Sequence, residues 1–423
     1  MASPHHVHVL SGGAKLITAA MPERLSSSVV IMFGGGSRLE DDRLAGASHF
    51  IEHLFFKGTQ RRPSSKEIAD AIEGVGGFIN ASTDKELTAY WTRVPAEYTD
   101  LGLDVLFDIV SNSKLDPGDI ERERAVILEE LKMYQDQPQD HVQNLFEELM
   151  WPGHPLGRDI AGTQESVSRL TRDDILEYAD ANYRLPNVVI GAAGALDEEA
   201  VLDFVRPRLT LPRDMNGAAP ALAPGPLDGA HVMVRRQRTE QAHICLGVRA
   251  YSYLHPDRYA IDLFNTVLGE GMSSRLFLNI RERLGIAYDI HSFMQKHSDT
   301  GYVAVYLGVD PKKAVQAVNA VMVEVRRFAD EEVPPDELER AKEFTKGRLR
   351  LELETTNGVA FWLTYQELLL GQIRTIEEEI ALVDAVTGAD IKRVASEILQ
   401  GPPQMAVIGP FASDAALRSA IQA

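Results

Sequence analysis

The feature that most limits how this chain can fold is a break near its middle. Between residues 206 and 229 stand Pro207, Pro212, Pro220, Pro224 and Pro226, with Gly217, Gly225 and Gly229 among them. Proline fixes φ and lacks an amide hydrogen, so this stretch continues neither a helix nor a central strand. The break leaves two parts of similar length, and the parts resemble each other. The stretch 28–33 reads as a strand and is followed by Asp42-Arg43-Leu44 and an apolar helix pattern. The stretch 243–248 is followed by Asp257-Arg258-Tyr259 and another such pattern, 215 positions further on. Likewise Pro117-Gly118-Asp119-Ile120-Glu121-Arg122 is echoed 218 positions later by Pro335-Asp336-Glu337-Leu338-Glu339-Arg340. Matches in one order and nearly one register point to a duplicated domain. The expected division is a domain over 1–212, a linker over 213–229 and a homologous domain over 230–423.

Within the first half, hydrophobic periodicity predicts helices over 44–57, 65–74, 96–111 and 117–135, and strands over 16–20, 27–33, 78–82 and 86–94. Two adjacent strands with a short connection pair antiparallel. The expected fold class is therefore α+β, with two homologous domains, each a mainly antiparallel sheet packed with helices. With 423 residues, 44% of them hydrophobic, each half is long enough to bury its own core.

Charge and cysteine content narrow the function classes. There are 43 Lys and Arg against 62 Asp and Glu, a net charge of −19, which argues against a nucleic-acid partner and is compatible with cationic peptides. The single cysteine, Cys245, excludes a disulfide framework and any Cys-based metal site; its setting, Ala-His-Ile-Cys-Leu-Gly-Val, reads as a buried strand. The opening Met-Ala-Ser-Pro-His-His-Val-His-Val-Leu has no basic region followed by an apolar stretch. No segment approaches about 18 apolar residues, so a cytoplasmic protein with no membrane partner is expected. His5, His6 and His8 are expected in a frayed surface segment, and His154, among turn residues, is expected to be structural.

The segment that carries chemistry is Ser48-His49-Phe50-Ile51-Glu52-His53-Leu54-Phe55-Phe56-Lys57-Gly58. On a helix, His49, Glu52 and His53 fall within an arc of about 100°, while Phe50, Ile51, Leu54 and Phe55 occupy other arcs and can face a core. Two imidazoles at i and i+4 can bind one Zn²⁺ and leave the adjacent Glu52 free as a base. The order H-x-x-E-H is the inverse of the H-E-x-x-H metallopeptidase motif. A His₂ site needs a third ligand, usually a carboxylate. The best source is the helix opened by Asp116-Pro117, where Glu123 and Glu130 lie two turns apart on one face; spacing alone does not separate Glu130 from Glu129.

These residues resemble the pitrilysin-like (M16) metallopeptidases. Gly36-Ser37-Arg38-Leu39-Glu40, Gly46, His49 to His53 and Phe56-Lys57-Gly58-Thr59 are similar to that family's first motif, and Glu123-Arg124-Ala125-Val126-Ile127-Leu128-Glu129-Glu130 to its second. The resemblance implies His49, His53 and Glu130 as ligands of one Zn²⁺ per chain, Glu52 as the catalytic base, and Glu123 as a supporting acidic residue. It implies substrate binding at Asn80 and Ala81, within Asn80-Ala81-Ser82-Thr83. In the second half Arg281 and Tyr288 match a catalytic pair that reaches toward substrate. By the internal repeat, Phe264, Val267 and Leu268 stand where the first half has His49, Glu52 and His53, so the second half cannot bind the metal and is expected to complete the substrate site. The implied activity is that of a zinc-dependent endopeptidase acting on peptides or unfolded polypeptide. The implied assembly is a homodimer or a heterodimer with a related chain. The alternative is a catalytically silent partner or scaffold subunit; loss of a ligand would mark it, and none is lost.

Overall fold

The computed structural model describes residues 5–212 and 219–422. Of the expected linker, 213–218 lie outside the described residues, and 219–230 contain no helix or strand. The chain is α+β and contains two sheets, each covered by helices.

The first sheet is built from β1 (His5–Val9), β2 (Lys15–Ala20), β3 (Ser26–Phe33), β4 (Phe78–Thr83), β5 (Thr88–Pro95) and β6 (Val188–Gly194), in the order β1-β2-β6-β3-β5-β4. All its pairs are antiparallel except β2 with β6. The second is built from β7 (His231–Arg236), β8 (Ala242–Ala250), β9 (Ala287–Lys296), β10 (Gly301–Val309) and β11 (Gln404–Gly409), in the order β7-β11-β8-β10-β9. Here only β7 with β11 is parallel. With β1 set aside, the two orders match strand for strand, including the position of the single parallel pair. The duplication read from sequence is thus a duplication of topology.

His5, His6 and His8 do not fray. They lie in β1, an edge strand whose backbone pairs with β2 from His5 opposite Ala19 to Val9 opposite Lys15. The ladder satisfies the main-chain groups that a loose terminus would leave to water, and His6 Nδ1 lies 2.7 Å from Glu198 Oε2. Cys245 is fully buried in β8, and burial pushes its thiol well above the usual range. His154 Nδ1 accepts from the Leu156 amide at 3.1 Å, fixing the turn at 155–157.

The helices of the first half include α1 (Ala47–Phe55), α2 (Ser65–Glu73), α3 (Thr99–Asn112), α4 (Pro117–Asp136) and α5 (Pro138–Met150). The predicted helix over 96–111 begins only at Thr99, because 96–98 form a tighter turn in which Thr99 Oγ1 donates to the Ala96 carbonyl at 2.7 Å. The expected boundary at 213–229 separates the two sheets, yet the compact units interleave across it. The first unit comprises Met1–Lys132, Asp159–Ala221 and Leu349–Ile376; the second comprises Met133–Arg158, Leu222–Arg348 and Glu377–Ala423.

Each sheet has taken a helix from the opposite half of the sequence. In the second unit, Val142, Phe146 and Met150 of α5 pack with Cys245, Tyr302, Ala304 and Ala406. In the first unit, Ala360 and Leu363 of the helix Thr356–Tyr365 pack with Ile17, Val30, Met32 and Val189. That helix comes close enough to β6 that a Cβ added at Gly191 would collide with Thr364 Oγ1 and the Ala360 carbonyl. Replacing Gly191 by Ala is expected to destabilise the protein by about 1–3 kcal/mol, the usual cost of overpacking a filled interior. Denaturant unfolding of the full chain measures it; an unchanged midpoint would show that the helix yields without cost.

Candidate metal centre

The site begins with α1 and with what fixes its ends. Phe50, Ile51, Leu54 and Phe55 are buried in the main core of the first unit, so the opposite arc, bearing His49, Glu52 and His53, faces away from it. At the N-terminus the buried Glu40 carboxylate accepts from the Gly46 amide at 2.8 Å, from the Ser48 amide at 2.7 Å and from Ser48 Oγ at 2.6 Å. A carboxylate there satisfies otherwise orphaned amides and complements the helix dipole. Glu40 belongs to the motif Gly36-Ser37-Arg38-Leu39-Glu40. It lies outside the helix, so no periodicity marks it.

α4 brings the carboxylates. Glu130 Oε2 lies 3.5 Å from His53 Nε2 and 3.8 Å from His49 Nε2. Among the described residues, His49, His53 and Glu130 form the one group of three such side chains whose ligand atoms all lie within 4.8 Å of one another. Of the neighbouring glutamates, Glu130 is the one brought to the imidazoles, while Glu129 is exposed and pairs with Lys132 at 2.6 Å. Tetrahedral Zn²⁺ with bonds of about 2.0–2.2 Å holds its ligand atoms roughly 3.3–3.5 Å apart. Both Glu130 separations are within a few tenths of an ångström of that spacing, the ligand atoms of the two imidazoles lie within 4.8 Å of each other, and a set of two neutral-capable imidazoles and one carboxylate suits that ion.

Glu123 is buried, and its Oε2 is 3.2 Å from His53 Nδ1, the ring nitrogen turned away from Glu130. Lys57 Nζ is 2.8 Å from the other oxygen of Glu123. His49 Nδ1, by contrast, is buried with no hydrogen-bond partner among the described residues. Glu52 stands beside the ligands and accepts a hydrogen bond from Thr83 Oγ1, at the end of β4, at 2.6 Å. Thr83 ends the segment Asn80-Ala81-Ser82-Thr83, and no spacing along the chain marks its contact with Glu52.

Burial, reinforced by the neighbouring His53, pushes His49 down to about 4. Burial also opposes charge on His53, but the carboxylates of Glu130 and Glu123 outweigh it and hold its pKa above 6.5. Glu52 is raised above the usual carboxylate range, chiefly by burial and against the pull of the Thr83 hydrogen bond.

Asn80 and Ala81 lie on β4, the last strand of its sheet, whose outer edge pairs with no strand among the described residues. Asn80 is exposed, and its Oδ1 accepts from the Ala81 amide at 2.9 Å. In the second unit, the Arg281 guanidinium lies 5.6 Å from the centre of the Tyr288 ring and 4.8 Å from that of Phe277, and Tyr288 is 74% exposed at the sheet edge. Phe264, Val267 and Leu268 are all buried in the core of that unit, leaving apolar side chains where the first unit has its ligands.

Two family models match the chain: "Insulinase (Peptidase family M16)" over residues 15–164 and "Peptidase M16 inactive domain" over 169–344. An uncharacterized zinc protease of Mycobacterium leprae is 35% identical over 96% of this chain and 91% of its own length. The uncharacterized zinc protease YmxG of Bacillus subtilis is 33% identical over 95% of this chain and 98% of its own. The chain belongs to peptidase family M16. A protease of Helicobacter pylori, at 21% identity, shares the M16 fold over 97% of this chain and all of its own, with a TM-score of 0.91. No helix among the described residues of this M16 chain is long and apolar enough to cross a membrane.

Because a ligating imidazole must be neutral, protons and metal compete for it. The carboxylates hold the His53 pKa above 6.5, whereas His49 resists a proton until about pH 4. Apparent zinc affinity, measured by chelator competition, is therefore expected to fall about tenfold per pH unit on acidification between those limits, with one proton displaced per ion. A slope of two protons, or none, would contradict this difference between the imidazoles.

Proposed function

We propose that this M16 chain is a zinc-dependent endopeptidase that hydrolyses peptides or unfolded polypeptide segments in the cytoplasm. The observation that carries the reading is the meeting of His49, His53 and Glu130 within 4.8 Å, with Glu52 beside them and outside the ligand set. When bound, one zinc ion per chain supplies Lewis acidity and brings the pKa of a bound water to about 7.

The chain's own residues do the rest. Glu52, held at Oε2 by Thr83, takes a proton at Oε1 and later delivers it to the leaving amine. The upward direction of its pKa supports this role, since a carboxylate made more basic by burial takes up a proton more readily. Glu123 holds His53 through Nδ1 and stays out of the ligand set. The peptide adds as a strand to the free edge of β4, where its carbonyl replaces Asn80 Oδ1 on the Ala81 amide. Arg281 and Tyr288 are assigned to the developing oxyanion on the strength of the family motif. Pairing with a second copy or a related chain is part of the same proposal.

The rival reading, a silent partner or scaffold subunit, predicts zinc binding without turnover. In the wild-type chain, digestion of an unfolded peptide is expected to stop on chelation and return with zinc. Glu52→Gln is expected to keep zinc while hydrolysis drops by about 10²- to 10⁴-fold, the usual contribution of a positioned base. Turnover that survives in Glu52→Gln would remove that residue from the role, and a zinc-loaded wild type without turnover would favour the silent reading.

A further inference from the structure

Resting on the metal site just proposed, we infer that Lys57 is a positioning residue for the metal centre, acting through Glu123 on His53. Lys57 belongs to the stretch Phe56-Lys57-Gly58-Thr59 that follows the histidines. It lies four residues after His53 and just past the end of α1, with its amide donating to the Leu54 carbonyl at 3.0 Å. There a cation also complements the negative end of the helix dipole. The turn that follows depends on Gly58, at φ +142, where an added Cβ would meet the Pro63 carbonyl oxygen at 2.5 Å. The chain reverses there, and Lys57 is fixed in place with its ammonium on the carboxylate.

Glu123 is a buried acid that divides its two oxygens between two partners. Oε1 receives Lys57 Nζ at 2.8 Å and Oε2 lies 3.2 Å from His53 Nδ1. A carboxylate buried to this degree needs a partner for each oxygen, since an unpaired buried polar atom is costly. Lys57 supplies the pair and occupies the oxygen that His53 does not use. The Glu123 carboxylate then accepts a hydrogen bond from Nδ1–H, which fixes the ring and leaves Nε2 with its lone pair facing the Glu130 side. Without Lys57 the carboxylate loses the partner that fixes its orientation and can turn toward water, which frees the His53 ring. His49 has no such support on its Nδ1, so the rigidity of the pair rests on His53.

The test measures zinc affinity and needs no turnover. Lys57→Met keeps the length of the side chain and removes the charge; it is expected to weaken zinc binding, by chelator competition, about 10- to 100-fold, the range for groups that orient a ligand. Lys57→Arg is expected to restore most of it. In the double variant with Glu123→Gln, the two losses are expected to be clearly less than multiplicative, because both act through one hydrogen bond. Melting of the metal-free proteins separates positioning from folding: the inference holds if Lys57→Met melts with the wild type yet binds zinc more weakly. It is overturned if affinity stays within twofold, if metal-free Lys57→Met is already unfolded, or if the losses multiply. A wild type that binds no zinc would instead sink the proposed function.

Discussion

α1 must do two things that compete: bury one side in a core and hold two imidazoles and a carboxylate on the other. At 100° per residue the polar arc ends about 60° before Phe50 begins the apolar one, so the nine-residue helix serves both only in one rotation about its axis. Burying an aliphatic or aromatic side chain yields about 1.5–3 kcal/mol. Four such residues outweigh the desolvation of three partly buried polar ones, which costs about 1–3 kcal/mol for each group left without a partner. The core thus sets the direction in which His49, Glu52 and His53 point, and Glu40 fixes the end from which the helix starts. α4 then needs only to lie against that side for Glu130 to meet both imidazoles.

The second unit shows the same topology without the compromise. Its equivalent helix, Arg258–Gly269, has Phe264, Val267 and Leu268 at the corresponding positions, all in the core. One copy of a duplicated fold carries the cost of a polar cluster and the other does not. The strand order, the single parallel pair and the exchanged helices are common to both, so the architecture does not depend on the metal ligands. The chemistry was placed on a scaffold that stands without it.

Much of this could be read from the sequence because the signals were local or periodic. The arc of α1, the proline after Asp116, the antiparallel strands near 78 and 88, and the repeat offset by 215 all follow from spacing along the chain. What could not be read is what depends on distant partners. Glu129 and Glu130 are adjacent, and only the packing of α4 against α1 turns one to solvent and the other to the imidazoles. The exchange of α5 and the helix Thr356–Tyr365 leaves no mark, since an apolar helix face does not name the sheet it will cover. Thr83 on Glu52, Glu40 on Ser48 and Lys57 on Glu123 are single side chains meeting across loops, with no period to reveal them. β1 escaped notice because His-His-Val-His-Val is short and mostly polar, and an edge strand is held by its backbone.

The Thr83 contact ties substrate placement to proton transfer under the proposed reading. β4 supplies both the free edge near Asn80 and Ala81 and the hydroxyl that holds Glu52. Residues on a strand advance about 3.3 Å each, so the Ala81 amide and Thr83 are roughly 7 Å apart along the edge. A peptide that pairs with β4 must adopt that spacing, and a slip of one residue reverses every side chain while a slip of two restores the facing. The base is therefore referred to the same ruler as the peptide backbone. Selection by such an edge acts on main-chain register, and any extended segment able to reach the strand meets the requirement whatever its side chains.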